Sequence, residues 1–186
     1  MNKLRFLLVI AAVVAVALPV LAQRKRVSPH ETITATVDGD KLTVIYGRPY
    51  SKDPKTGETR KIWGGLVPYG KVWRTGADEA TLFMTEKTVV LGEKEIPAGT
   101  YSLFTLPEAD GSAMLIVNKR TGQWGIPYVE AKEATNELAR IPLNKSPLDK
   151  TVDQFTMAIE NNSSGGGVLK MMWETAQYSV PFTVKK

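Results

Sequence analysis

Glu31 to Tyr46, ETITATVDGDKLTVIY, decides the fold class. Ile33, Ala35 and Val37 alternate on one side of a turn signal, Asp38-Gly39-Asp40, and Leu42, Val44 and Tyr46 alternate on the other. A period of two flanking an Asp-Gly pair is the pattern of a β-hairpin with one face buried. Working outward, further β-rich runs lie at Thr81 to Thr85, Thr88 to Leu91, Thr100 to Leu106 and Ala113 to Asn118. Others follow at Glu137 to Pro142, Phe155 to Asn161, Val168 to Glu174 and Gln177 to Val184. Turns are expected at Gly92 to Lys94, around Asp110-Gly111-Ser112, at Thr121-Gly122 and over Asn162 to Gly167. Only Val129 to Ala134 has helix formers in a row, enough for a single turn. About nine or ten short strands without a long helix predict an all-β domain, either a β-sandwich or a jelly-roll-like barrel.

That single β domain is expected to span residues 31–186. Ahead of it, Lys3 and Arg5 precede the apolar run Phe6 to Val20, and Val20-Leu21-Ala22 suit a cut before Gln23. Residues 1–22 therefore have the pattern of a secretory signal peptide, with a permanent N-terminal membrane helix as the alternative. Residues 23–30 are expected to form a flexible N-terminal segment, with the basic cluster Arg24-Lys25-Arg26 a solvated terminus or a docking arm. An exported chain, periplasmic or extracellular, follows, with no membrane attachment after cleavage. The chain has no cysteine, which excludes disulfides, thiolate metal sites and cysteine nucleophiles. Losing Lys3 and Arg5 with the leader lowers the formal charge from +5 to +3, too weak a field for a nucleic-acid partner.

One stretch does not alternate. Trp63 to Thr81, WGGLVPYGKVWRTGADEAT, carries three large aromatics and four glycines with no regular period. A loop of this length in a compact domain is usually functional, and its aromatic content argues that it is ordered. The preceding polar run Ser51 to Lys61, with Pro54 and Gly57, has the character of an exposed insertion.

Four segments carry a family resemblance: VIYGRP at Val44 to Pro49, IWGGLVPYGKVWRTGADEAT at Ile62 to Thr81, IPAGTYSLFTLP at Ile96 to Pro107, and IVNKRTGQWG at Ile116 to Gly125. Together they resemble a bacterial domain-of-unknown-function family, DUF2911. The resemblance extends to Phe182 and implies an exported protein without an assigned activity. Two departures stand out: the family pattern carries Asn where this chain has Asp78, and it has a shorter join than Ser51 to Lys61. An Asp in place of Asn removes donor capacity from that side chain.

The candidate ligand-binding residues are Arg48, Tyr69, Trp73, Arg74, Asp78, Glu79 and Trp124. An Arg fork suits a carboxylate or phosphate, and Trp or Tyr faces suit ring-bearing ligands, so these describe a pocket for a polar, ring-bearing or anionic molecule. The structural alternative has Arg74 paired with Asp78 or Glu79 to pin the loop, with Trp63, Tyr69 and Trp73 plugging the sandwich end. In an extended segment Asp78 and Glu79 would point to opposite faces, which denies them a facing acid/base pair. Trp124 is either a core aromatic at a strand end or a second wall of the pocket, and Trp173 has the alternation of a core residue. His30, the sole histidine, is expected to bond to the backbone in a turn, and no G-x-S-x-G elbow accompanies it. No metal or cofactor is implied, and Asp38-Gly39-Asp40 has too few oxygen ligands for calcium.

Three functions remain open on these residues. The first is binding of a small polar or carbohydrate-like ligand, or of a partner surface, through the 63–81 loop. The second is hydrolysis using Asp78 or Glu79 with Arg74 orienting the substrate. The third is an envelope structural or assembly role without a ligand.

Overall fold

The structure, a computed structural model, describes residues 26–185. The leader and its cut before Gln23 lie outside the described residues. Ten strands and one helical turn follow in order: β1 (His30–Val37), β2 (Asp40–Gly47), β3 (Thr81–Thr85), β4 (Val89–Leu91), β5 (Lys94–Ile96), β6 (Gly99–Pro107), β7 (Ala113–Asn118), α1 (Glu130–Glu133), β8 (Glu137–Pro142), β9 (Asn144–Asn161) and β10 (Gly167–Val184).

These strands form two antiparallel sheets, one in the order β1-β2-β3-β6-β7-β8 and the other β5-β4-β10-β9. Leu42, Phe83 and Leu103 from the first sheet share one buried cluster with Phe155, Leu169 and Trp173 from the second. The fold is an open β-sandwich, and the barrel alternative does not apply. Each such side chain taken fully from water contributes about 1.5–3 kcal/mol, so the inward face of each strand sets its register.

The hairpin that decides the fold class forms as expected. Ile33 pairs with Val44 and Ala35 with Leu42, across a turn in which Asp38 and Gly39 both have positive φ, 48° and 73°. Positive φ at both central residues matches the right-handed twist of the strands. The turn's carboxylates accept backbone hydrogen bonds: Asp38 takes the Gly166 N–H at 2.6 Å, and Asp40 takes those of Glu86 and Lys87 at 3.0 and 2.9 Å.

Three expectations about the strands need correction. β9 begins at Asn144, eleven residues before Phe155, although Pro147 and a run of polar residues suggest a loop there. β9 is an edge strand, where a proline's missing N–H is tolerated. β10 is one strand and not two, because the break near Glu174 is absorbed by irregular register on either side of that residue, whose φ is 53°. Lys94, expected to close a turn, instead opens the short strand β5.

No regular element lies between Gly47 and Thr81, yet the segment is tied at many points. Just past β2 the chain leaves the first sheet and pairs with β9 of the second: Phe155 N–H donates to Pro49 O at 2.9 Å and Ser51 N–H to Asp153 O at 2.6 Å. Within Ser51 to Lys61, Lys52 bridges to Thr59, and Ser51 is buried while most of the run is exposed. Further on, Trp73 and Thr105 exchange both backbone hydrogen bonds at 2.8 Å, so Trp73 extends the edge of the sheet beside β6 beyond the start of β3.

Candidate functional site

The loop from Trp63 to Thr81 is held where it is by close backbone approach. A Cβ on Gly47 would lie 2.2 Å from Ala77 O, so only glycine lets the end of β2 meet the loop there. Thr75 is fully buried with φ 54°, a left-handed conformation that a β-branched residue adopts only under constraint. The constraint is visible: Thr75 Oγ1 lies 2.8 Å from Thr105 Oγ1, and Thr81 Oγ1 donates to Thr75 O at 2.6 Å. Strain of this kind clusters at binding and catalytic sites.

Between this loop, the 49–60 segment and the N-terminal residues lies a cavity of about 260 Å³. Its apolar walls include Val27, Pro49, Leu66, Ile126 and the indoles of Trp73 and Trp173. Those two indoles stack, with ring centroids 5.8 Å apart and planes at 22°. Trp63 meets both of them edge-on, which fixes the floor. The polar contribution comes from Ser28, Tyr50, Arg60 and Arg74. Arg60 donates through Nη2 to Tyr50 O. Two N–H groups on lining residues, Arg60 Nε and Trp173 Nε1, are buried with no hydrogen-bond partner. Unpaired buried donors are rare in folded proteins.

Arg74 sits at the edge of the cavity in a different role from the pairing expected. Its Nη1 donates to two carbonyl oxygens, Asp78 O at 2.5 Å and Trp124 O at 3.1 Å, and its guanidinium stands 5.4 Å from the Trp124 ring centroid. Burial pushes its pKa down, opposed by the nearby charges of Asp78 and Glu79. Gly125 permits this packing, since a Cβ there would lie 2.7 Å from Arg74 Cβ.

Asp78 and Glu79 do not point to opposite faces. Asp78 has φ 64°, so the segment is not extended, and both carboxylates turn to His30. His30 Nε2 lies 3.0 Å from Asp78 Oδ2 and 3.7 Å from Glu79 Oε2. His30 thus has side-chain partners and not the backbone partner expected of it. Arg26 lies 2.9 Å from His30 Nδ1 and 2.5 Å from Glu79 Oε1, which anchors the end of the basic cluster to its own domain. None of these four side chains lines the cavity, but the strand-entry residues between them, Val27 and Ser28, do. Among the described residues no group of three or more His, Asp or Glu side chains is arranged to hold a metal ion.

The remaining candidates are dispersed. Arg48 clamps the two sheets: Nε donates to Phe155 O at 3.1 Å, Nη2 to Thr156 Oγ1 at 2.8 Å, and Nη1 pairs with Glu31 at 3.1 Å. Tyr69 is exposed and lies against Gly64, where a Cβ would come within 2.6 Å of its ring. Trp124 is 56% exposed, so it is not a core aromatic; Ile126, two residues on, reaches the cavity instead. Trp73 and Arg74 are thus the two candidates brought to one concavity. Trp173 and Arg60 line it without having been candidates. Trp173's inward phase is legible as burial alone, and Arg60 sits in a run whose composition signals only solvent.

Comparison with known proteins adds a family and no activity. A sequence model described as protein of unknown function (DUF2911) matches residues 28–182. The chain belongs to this family. The matched DUF2911 region contains the whole cavity except Val27, along with both sheets up to Phe182. No match was found among curated proteins or among solved structures.

Proposed function

We propose that this DUF2911 protein is an exported, non-enzymatic β-sandwich that binds a small molecule in the cavity between Trp73, Trp173, Arg60 and Arg74. One observation carries the reading: a concavity floored by two stacked indoles, with the side chains of Arg60 and Arg74 in its wall. Stacked aromatics beside a few convergent polar groups are the usual composition of small-ligand sites, and about 260 Å³ suits a ligand below drug size. The strained Thr75 conformation supports it further, since the loop is held in a shape that packing alone does not favour. Export rests on the leader pattern of residues 1–22.

Hydrolysis by Asp78 or Glu79 has less support, because these carboxylates are engaged with His30 and Arg26 away from the cavity wall. A role as an envelope structural protein has no feature of its own in its favour.

The test is a thermal-shift screen of aromatic acids, amino acids and monosaccharides, run on the wild type and on Leu66→Trp. Leu66 lines the cavity and is 45% exposed, so a larger side chain there fills the space from its mouth. Hits that stabilise the wild type and leave Leu66→Trp unmoved support the reading. Hits that stabilise both chains alike place binding elsewhere and refute it.

A further inference from the structure

Resting on that reading of the cavity, we propose that its ligand is a small aliphatic amphiphile that enters tail first, held by its chain, with its polar head left in the water at the mouth. Seven large hydrophobic side chains are exposed among the described residues, and four of them, Val27, Tyr50, Leu66 and Ile126, line this one cavity. A fifth, Trp124, is tied to it through Arg74, whose guanidinium stands 5.4 Å from the indole centroid. The four rim residues come from separate stretches of chain, so no single loop's composition puts them together. Exposed hydrophobics scattered singly need no explanation, whereas their gathering around one opening marks a surface that meets apolar matter. Inside the rim the wall continues apolar, through Pro49 to the Trp73 and Trp173 rings.

The charges in the wall are answered by the protein itself. Arg74 Nη1 serves the carbonyls of Asp78 and Trp124, and the charges of Asp78 and Glu79 oppose the effect of burial on its guanidinium. Arg60 Nη2 serves the Tyr50 carbonyl. The Arg60 charge is met by Asp53, whose carboxyl is held below its ordinary range first by the Lys55 and Thr56 N–H groups and also by that charge. The unpaired Nε of Arg60 and Nε1 of Trp173 have essentially no accessible surface, which puts them out of a ligand's reach. A charged head drawn inside would therefore lose its hydration without gaining a free partner. Tail-first entry avoids that loss, since methylenes replace water against the wall and rim while the head stays hydrated.

The experiment titrates the protein at pH 7 with butanol, hexanol and octanol and with butyrate, hexanoate and octanoate. Glucose and phenylalanine serve as compact polar comparisons, and binding is read by calorimetry and tryptophan emission. Affinity is expected to rise about threefold to fourfold for each methylene added, in both series. Each acid and the alcohol of equal chain length are expected to agree within about threefold, because neither head is desolvated. Leu66→Ser, checked for native circular dichroism, is expected to weaken octanol binding by about threefold or more, because apolar rim surface is lost. The two length series on the unmutated chain stand even where the variant fails to fold. Affinity that does not rise with chain length, a preference of about tenfold for either head, or an unchanged octanol affinity in folded Leu66→Ser overturns the tail-first assignment. Binding of glucose or phenylalanine alone overturns it too, while leaving the cavity a ligand site. Failure of every probe to bind at millimolar concentration overturns the ligand-site reading itself.

Discussion

Arg74 directs its Nη1 to the carbonyls of Asp78 and Trp124, which are contributed by two different loops. A single planar donor group therefore ties the 63–81 loop to the Trp124 loop, and the Trp124 ring lies beneath the guanidinium. Lysine keeps the charge but has neither the fork nor the flat face. Arg74→Lys is expected to lower stability by about 1–2 kcal/mol, because the ammonium lacks the planar group that bonds both carbonyls and covers the Trp124 ring. Urea denaturation followed by circular dichroism checks this, and an unchanged midpoint would contradict it. The residue identities at the site were only partly open to prediction. Arg74 and Trp73 stand out in the sequence because Arg and Trp in a loop without period have few bland uses. Trp173 does not, since alternation in VLKMMWE marks it as inward without revealing that the space beside it is empty. The convergence of Asp78 and Glu79 on His30 depends on one positive φ, and Asp is only weakly marked for that conformation.

At the scale of elements, the join between the sheets lies at the end of β2. Tyr46 donates to Glu31 Oε2 of β1 at 2.7 Å and accepts the Met157 N–H of β9 at 3.0 Å, while Arg48 reaches Phe155 and Thr156 of the same strand. Tyr46→Phe strands a buried backbone donor and is expected to cost about 1–3 kcal/mol at neutral pH. Burial, aided by Glu31, pushes the Tyr46 phenol up to about 12 from 10.0. A raised folded-state pKa stabilises the fold fully below the unfolded value and loses that contribution as pH rises through the folded one. The stability gap between wild type and Tyr46→Phe should therefore hold from pH 7 to 9 and narrow between 10 and 12. A gap that does not change with pH over that window would show that Tyr46 acts by packing alone. The β1–β2 hairpin was legible because alternation and an Asp-Gly turn agree. The first half of β9 was not, since Pro147 and its polar neighbours signal a loop and only the pairing with β10 makes them a strand.

Across the whole molecule, the two sheets share a core, and the long irregular connection between β2 and β3 closes one end of it around the cavity. The sandwich was legible from strand count and spacing, because inward faces repeat in every strand. The cavity was not, because it depends on residues from five separated stretches: 27–28, 49–60, 66–77, Ile126 and Trp173. Belonging to DUF2911 adds no activity, and a binding function requires that this cavity take up a ligand. The most direct measurement is a nitrogen–proton correlation spectrum of the four tryptophan indoles during a titration with a mixture of small aromatic and aliphatic acids. Saturable shifts of the Trp73 and Trp173 indole signals are the expected result. Movement of the exposed Trp124 signal alone, or of none of the four, would contradict it.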